Sequence, residues 1–399
     1  GGRAAEVLGV LENLPLCRWE ALMLPGFNSV LNVWQPMYTH MFEGVISAPQ
    51  PWCYVHLHTP GGTANFNKPE YRLELGSKAP LVGTLMRVVA AQRLEDSRLA
   101  LVVQGLARVR VLEQTKAQPY ARATVQLLPD AEVVRGLYDE AAEALRAAGG
   151  EGEIGEAWVH TVAHAGAVAG EVLWREFESA GVPLSPRGVS PLVPLNASAP
   201  PASLAPRVRK AQAGAMREAA GLALEGGLRG VPSEVELQVS GVLGGRQSGA
   251  QLKFWGGAEP GRYPGGLEGM ELRVWLEIDG LIRRLRRLDR NVPIPSQLVG
   301  LLPPEPESKW PAGFGLEEIC RVMEGGLVGT ATRSPFVRVD NSFCERRRAQ
   351  RFSFAACSLL GLDSGLEGQA ILEAASTEHR LSMLMKLFAD INAELDARP

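Results

Sequence analysis

Cysteine is scarce and follows no pattern in this chain of 399 residues. The five cysteines lie far apart and no two of them form a C-x-x-C pair; they are Cys17, Cys53, Cys320, Cys344 and Cys357. An odd and dispersed set argues against a disulfide framework and against a zinc knuckle. It favours a reducing compartment.

Long apolar runs are also missing. No stretch of about 18 apolar residues indicates a transmembrane helix, and no basic segment before a short apolar run marks a secretory leader. The chain begins Gly1-Gly2 without Met, from which we expect that an import leader has been removed. The prediction is a soluble protein of an organelle, with the chloroplast stroma favoured and the mitochondrion or the cytoplasm as alternatives.

Neither sign of charge dominates. The net charge is -3 and the pI is near 6.2, so the chain has no overall basic field. Nucleic acid is therefore not favoured as the main partner, although a local basic face stays open.

Motifs for nucleotide and metal chemistry are absent or incomplete. The run Gly325–Thr332 lacks the lysine of a phosphate-binding loop. Gly150–Gly155 spells G-x-G-x-x-G, but it follows an Ala-rich predicted helix and carries two Glu that would repel a pyrophosphate. His160 and His164 are four residues apart without the H-E-x-x-H order. We expect no cofactor, no metal and no catalytic residue; a metal-dependent hydrolase that uses the two histidines is an alternative.

Short segments rich in β-branched and aliphatic residues recur through the first third of the chain. Val109 and Val111 alternate with Arg108 and Arg110, as half-buried strands require. Six strands are predicted, at Trp19–Pro25, Cys53–Thr59, Leu81–Leu94, Arg98–Gln104, Ala107–Glu113 and Tyr120–Leu128. This number of short strands is enough to close a small β-barrel.

Helical periodicity appears on both sides of these strands. Residues 1–18 hold a short apolar pattern that ends at Pro15, and apolar residues from Val30 to Phe42 recur at spacings of three and four. Residues 271–290 predict an amphipathic helix with its arginines outside the apolar stripe. Proline-rich connectors are expected at residues 181–206, 256–269 and 301–315.

Three consecutive segments carry a family resemblance. They are LPLCRWEALMLPG followed by NVWQPMY, then VGTLMRVVAAQRLEDSRLALVVQGLARVRVLE, then PYARATVQLLPD. Trp34–Tyr38 takes the place of an (F/W)EPRY-like helix start, and Gly83, Gly105 and Arg108 take the places of two strand glycines and an arginine. In these features residues 14–130 resemble the N-terminal, substrate-binding domain of Lon proteases. The resemblance implies a small PUA-like β-barrel that recognises polypeptides.

The last fifty residues extend this resemblance. RFSFAACSLLGL and the later Gln369, Leu372, Glu373, Arg380 and Leu381 are similar to the helical subdomain that follows the Lon barrel. Ser364 and Glu367 have the spacing of a capping box, so that a helix is predicted to start there. The ATPase and Ser/Lys protease motifs of Lon are not found.

The resulting fold prediction is α+β. A Lon-like barrel of about six strands is expected at 14–130. A helical and Pro/Gly-rich insertion is expected at 131–349, and a C-terminal helical subdomain that completes the Lon-like module at 350–399.

We therefore predict a stand-alone, non-catalytic module that binds a protein or an unfolded polypeptide. Methionine and aromatic side chains suit adaptable contacts, so the predicted binding residues are Phe27, Trp34, Met37, Met41 and Trp52. A second, basic docking face for an acidic protein, RNA or lipid headgroups would use Arg283, Arg284, Arg286, Arg287 and Arg290. The alternative for that helix is that its arginines are solvated or paired locally.

A different interpretation treats the chain as a fixed subunit. In this hypothesis it is a structural component or assembly factor of a large multisubunit complex in an organelle. The Pro-rich connectors favour it, because such segments gain order when they wrap a partner.

Overall fold

The structure is a computed structural model. It describes residues 10–48, 52–66, 68–95, 98–128, 130–132, 147, 266–288, 294, 298, 301–303, 310–311, 313–316, 345–360 and 366–397. The chain divides into two compact units, one of residues 1–224 with 361–375, and one of residues 225–360 with 376–399.

The first unit contains a six-stranded mixed sheet. Its strands are β1 Val10–Trp19, β2 Asn28–Val33, β3 Cys53–His58, β4 Val82–Arg93, β5 Leu99–Lys116 and β6 Arg122–Leu127. The order is β2-β5-β4-β3-β1-β6, and only β1 and β3 pair in parallel. Because β5 also pairs with β6, the strands β5, β4, β3, β1 and β6 form a closed circuit of pairings.

Successive residues of these strands enter two different hydrophobic clusters. Leu16, Val55 and Leu85 belong to one cluster, and their neighbours Cys17 and Tyr54 belong to the other. This alternation follows from the two-residue period of a strand. Both faces of the sheet are therefore covered by apolar contacts, as the continuous apolar composition of these segments requires.

Helix α1, Pro36–Ser47, covers the second cluster. Proline is favourable at its first position, where the missing N–H has no helical partner to lose. Its buried residues recur at the spacing of one helical face and are Tyr38, Met41, Phe42 and Val45. The sequence prediction of a helical stripe is confirmed from Pro36 onward.

The first 33 residues differ from the prediction. The apolar pattern before Pro15 belongs to strand β1 and not to a helix. Of the predicted strand Trp19–Pro25, Trp19 ends β1 and Glu20–Pro25 follows as a loop. Pairing with β6 shifts register between Leu11 and Leu14, and Asn13 adopts a positive φ of 54°. Such a bulge breaks the two-residue period, so that the apolar spacing resembles that of a helix.

Two glycines permit close backbone contacts. A Cβ atom on Gly83 would collide with the carbonyl oxygen of His56, and one on Gly105 with that of Leu24. Gly105 was expected to separate two strands, but it lies inside the single long strand β5. The predicted break between the strands Leu81–Leu94 and Arg98–Gln104 is confirmed, since β4 ends at Arg93 and β5 begins at Leu99.

Helix α4, Leu366–Glu373, also belongs to the first unit. Arg108 of β5 donates from Nη1 to the carbonyl oxygens of Leu372 and Ala374 at 3.2 and 2.7 Å, and from Nη2 to Oδ1 of Asp130 at 2.6 Å. Gln369 donates to the carbonyl oxygen of Val82 at 3.0 Å. These bonds join the sheet to a segment far away in the sequence; Arg108 and Leu372 are 264 positions apart.

The second unit contains the remaining helices with described bounds, α2 Gly266–Arg287, α3 Glu345–Ala355 and α5 Thr377–Asp396. Trp275 of α2 stacks on Phe352 of α3 with ring centroids 4.3 Å apart. Arg380 of α5 donates to Oγ of Ser353 at 2.8 Å. Residues 376–399 thus group with α2 and α3, whereas residues 361–375 group with the sheet.

Several predictions lie outside the described residues. They concern the His160/His164 pair, the glycine motif at 150–155, Arg290, the helices between 133 and 179 apart from Ala147, and the connectors at 181–206 and 256–265.

Candidate functional site

Strand β2 directs one row of side chains into the core and another to the surface. Leu31 and Val33 are buried, Val30 is 61% exposed, and Asn32 is also exposed. Within the described part of the chain β2 pairs with β5 alone, so that it forms an edge of the sheet. It therefore presents both outward side chains and a backbone edge.

Trp34 and Met37 continue the outward row beyond the end of β2. Trp34 keeps the alternation of the strand and is 65% exposed, and Met37 in the first turn of α1 is 37% exposed. We call Val30, Trp34 and Met37 the apolar row. A cluster of large apolar side chains in water is unfavourable unless something covers it, which makes the apolar row a candidate contact surface.

Only part of the predicted binding set lies at the surface. Trp34 and Met37 are exposed, and Trp52 is half-buried with its indole Nε1 donating to the carbonyl oxygen of Ala48 at 3.1 Å. Phe27 and Met41 are 9% and 0% exposed. These two residues belong to the core, which corrects their placement on a common face with the other three.

A small pocket adjoins Trp34. It is lined by the outward or half-buried residues Trp19, Asn32, Trp34 and Gln35, by Arg18 and Tyr38, and by two core side chains. Its volume of about 30 Å³ is enough for a small polar group. Arg18 and Trp19 come from the end of β1, a segment that the sequence interpretation did not include in the site. The sequence signal that could have included this segment was Arg18, the charged residue within the otherwise apolar run LPLCRW.

Tyr38 fixes the backbone of Arg18. Its hydroxyl donates to the Arg18 carbonyl oxygen at 2.5 Å and accepts from the Arg18 N–H at 3.2 Å. Burial raises the pKa of Tyr38 above its usual value, so the hydroxyl keeps the proton that it donates. Helix α1 and strand β1 are therefore bonded to each other at the pocket.

Three side chains hold the loop that follows Trp19. The Nδ1 atom of His58 lies 2.6 Å from the carbonyl oxygen of Glu20, and Nε2 of His56 lies 2.7 Å from that of Ala21. Thr84 donates its hydroxyl to the carbonyl oxygen of Met23 at 2.5 Å. Since a carbonyl oxygen only accepts, each imidazole nitrogen carries the proton. We call this set the loop clamp.

The two histidines of the loop clamp are neutral. Burial lowers the pKa of His56 from 6.5 to about 4, against the opposing effect of its bond to Ala21. Burial also lowers the pKa of His58. A neutral imidazole with one bonded nitrogen needs no metal. Both histidines therefore serve as hydrogen-bond donors that hold the loop.

The basic helix α2 does not present its arginines as one face. Arg284 is 6% exposed and binds the carboxylate of Asp396 through two bonds of 2.7 and 2.8 Å. Arg283 is paired with Asp279 at 3.0 Å. Arg286 and Arg287 are exposed. The local pairing that was left open as the alternative therefore applies to Arg283 and Arg284.

Metal chemistry and membrane insertion have no support in the part of the chain that is described. There, no three His, Cys, Asp or Glu side chains are grouped so that they could hold a metal ion. None of the described helices is long and apolar enough to span a bilayer.

Comparison with known proteins gives one family. Residues 13–153 match the family model described as the ATP-dependent protease La (LON) substrate-binding domain. A Lon protease of Anaeromyxobacter dehalogenans is 42% identical over 60 residues, which are 15% of this chain and 7% of that protein. A Lon protease of Desulfovibrio desulfuricans is 38% identical over 50 residues, or 12% of this chain and 6% of that protein.

Solved structures of Lon N-terminal domains are also similar to this chain. The Lon N-terminal domain protein from Xanthomonas campestris is 19% identical with a TM-score of 0.21, covering 29% of this chain and 57% of that one. The N-terminal domain of the Mycobacterium avium complex Lon protease is 11% identical with a TM-score of 0.22, covering 52% and 97%. These scores are low, so the assignment depends on the family match.

The matched curated relatives are much longer than the aligned segments, which span 7% and 6% of their length. The family match begins within β1 and includes the rest of the sheet, the apolar row and the pocket. The resemblance noted in the sequence is thereby confirmed: residues 13–153 match the Lon substrate-binding domain.

Proposed function

We propose that the first unit is a polypeptide-binding module and that the apolar row is its contact surface. The observation that carries the proposal is the exposure of Val30, Trp34 and Met37, at 61%, 65% and 37%, beside the edge strand β2. A bound segment in extended conformation would pair with the edge of β2 and place apolar side chains on the apolar row. This is the general mode of strand addition, in which backbone bonds give affinity and side-chain contacts give preference.

Three features support this mode. The family match is to a substrate-binding domain, which makes a polypeptide ligand the first expectation. Trp and Met are side chains that contribute large and adaptable contacts at binding surfaces. The closed circuit of strand pairings, together with α1 packed against it, supports a small PUA-like barrel as a rigid base for that surface.

The proposal extends to the role of the module. We propose that it binds polypeptides without processing them, since the segment that matches a family matches a binding domain. An organellar location and a place in a larger complex remain predictions from the sequence.

Binding of an unfolded protein tests the proposal. The full chain and its Trp34→Ser, Met37→Ser double variant would be titrated into fluorescein-labelled lactalbumin that has been reduced and alkylated, with anisotropy as the readout. Loss of two central contacts is expected to weaken binding about 30-fold, or about 2 kcal/mol. Both side chains are exposed, so circular dichroism should show an unchanged fold.

Leu75→Ser is the matched control. Leu75 is 84% exposed and apolar, but it lies in the segment between β3 and β4, outside the apolar row. Its substitution is expected to change affinity less than about twofold, within the usual range for a surface position. Equal loss of binding in the control and in the double variant would mean that general surface hydrophobicity, not this site, captures the probe.

A further inference from the structure

Strand β2 has a backbone edge that another strand can join. The carbonyl oxygen of Phe27 accepts from the N–H of Gly105 at 2.8 Å, so it points toward β5. Because the N–H and C=O groups alternate in direction along a strand, those of Asn28, Val30 and Asn32 point away from β5. Among the described residues only β5 pairs with β2, so these groups form its outer edge.

The sequence of β2 contains none of the features that usually protect such an edge. Proteins prevent edge pairing with charged side chains, with proline or with a bulge. The strand reads NSVLNV, without charge or proline, and all 6 of its residues pair with β5 in unbroken register. It is therefore a regular, uncharged edge.

The residues that form this edge are arranged symmetrically. Asn28 lies two positions before Val30, and Asn32 lies two positions after it. In an antiparallel pair centred on Val30, this residue faces Val30 of a second copy, and Asn28 faces Asn32 of that copy. An aliphatic side chain then lies beside an aliphatic one and an amide beside an amide. An interface around a twofold axis requires this kind of self-complementarity.

The outward face of the sheet agrees with the same pairing. Val30 lies opposite Val102 of β5, and Val102 lies opposite Ala90 of β4. Val30 is the outermost member of this cross-strand row and is 61% exposed. A second copy would place its own Val30 beside it, so that the row of apolar side chains continues from one sheet into the other.

Trp34 would also be covered. It continues the outward alternation two residues beyond Asn32, so in this register it passes Asn28 of the second copy and reaches the turn at Gly26 of that copy. A Cβ atom on Gly26 would have no other atom within 4 Å, which leaves open space at this turn for an indole ring. Trp34 is 65% exposed and would contribute a large contact area there.

The size of the surface indicates a weak dimer. The exposed parts of Val30, Asn32 and Trp34 and the strand edge amount to roughly 500 Å² per copy. Two such surfaces give about 1,000 Å², which is the lower limit for a specific interface and is typical of transient association. We expect a dissociation constant on the order of 10 µM.

From this geometry we infer that β2 pairs with β2 of a second copy of this chain, antiparallel and centred on Val30. The pairing occupies the edge in both copies, so the assembly closes as a dimer. The dimer covers Val30 and Trp34 of the apolar row, and a polypeptide reaches them by displacing the second copy. This regulation rests on the proposed function, whereas the dimer itself does not.

Opposite charges at the twofold axis test the pairing on the full chain. Sedimentation equilibrium between about 1 and 100 µM should show a reversible dimer. Val30→Glu places two like charges opposite each other and should raise the dissociation constant at least about 30-fold, and Val30→Lys should do the same. In a mixture of the two variants a carboxylate faces an ammonium group, so mixed dimers should form within about fivefold of the original affinity.

Leu75→Glu and Leu75→Lys are the matched controls. Leu75 is an exposed apolar residue outside β2, and the two substitutions introduce the same charges. Each control should dimerise within about twofold of the unmodified chain, as expected for a surface position away from the interface.

Competition tests the regulation. Excess reduced and alkylated lactalbumin should convert dimers of the unmodified chain into complexes that contain one copy of it. Dimers that bind lactalbumin without dissociating would show that the two partners use different surfaces, which overturns the regulation.

The two proposals fail in different ways. A chain that stays monomeric overturns the inference, and the anisotropy titration then tests the proposed function independently. A dimer that persists in both Val30 variants, or that their mixture does not restore, uses another surface and also overturns the inference. If the dimer responds to Val30 as expected but lactalbumin does not bind, the proposed function fails and the pairing of β2 is supported.

Discussion

Replacing Arg108 should weaken the attachment of residues 366–375 to the sheet. This side chain is 5% exposed, and its three described side-chain bonds reach Asp130, Leu372 and Ala374. Asp130 is itself 2% exposed. Arg108→Met would keep the apolar stem but would leave a buried carboxylate and two carbonyl oxygens without this donor.

The expected loss follows from that burial. Removing one partner of a buried ion pair costs about 3–5 kcal/mol, because the remaining charge stays desolvated. This is a large fraction of the roughly 5–15 kcal/mol that stabilise a typical domain. In Arg108→Met, Asp130→Asn the uncompensated charge is gone, so the double variant should be less destabilised than the sum of its two single variants.

Urea denaturation and amide hydrogen exchange measure the two consequences. Because the chain has two units, the denaturation signal should be read together with exchange at individual segments. Exchange should accelerate at residues 366–375 in Arg108→Met, since the bonds to the Leu372 and Ala374 carbonyl groups hold that segment on the sheet. Arg110→Met is the control, on the same strand but half-exposed, with an expected loss below about 1 kcal/mol. Equal effects of the two substitutions, or unchanged exchange at 366–375, would refute this account of Arg108.

The remaining predictions concern the loop clamp and β5. The pKa of His56 falls from 6.5 to about 4 on burial, so the unfolded chain binds more protons than the folded chain between these pH values. Stability should be complete above about pH 6.5 and should decrease by about 3 kcal/mol as the pH falls to about 4, a dependence that His56→Gln, which does not titrate, should flatten in urea titrations. Gly105→Ala should cost about 1–3 kcal/mol, because the new Cβ would collide with the Leu24 carbonyl oxygen; an unchanged thermal midpoint would show that the two backbones can separate freely.

The regular strands were the most predictable part of the fold. β3, β4 and β6 lie within one or two residues of their predicted positions, because Gly, Pro and charged residues bound them. β5 was divided at Gly105, since a glycine required for close approach has the same sequence signal as one required for a turn. β1 was missed because its bulge near Asn13 disturbs the alternation on which strand prediction depends.

The site was predictable only where exposure follows from local pattern. Trp34 and Met37 were identified by residue type, whereas Phe27 and Met41 have the same type and are buried. Val30 was interpreted as part of a helical stripe, and its exposure depends on β2 being an edge strand. Arg18 joins the site through the parallel pairing of β1 with β3 and through the bond to Tyr38, which no short-range pattern contains.

The loop clamp also connects stability to binding. Arg18 and Trp19 directly precede the loop whose carbonyl groups His56, His58 and Thr84 hold, and the Trp19 carbonyl oxygen accepts a further bond of 2.7 Å from the Thr59 N–H. If acid releases the clamp, the wall of the pocket moves with the loop. Binding of the unfolded probe should therefore weaken over the same pH interval in which the stability decreases. Trp34→Ser should reduce binding with no loss of stability, since Trp34 contacts solvent and not the clamp. Binding that persists unchanged in acid while stability falls would mean that the pocket is positioned by the Tyr38 bonds alone.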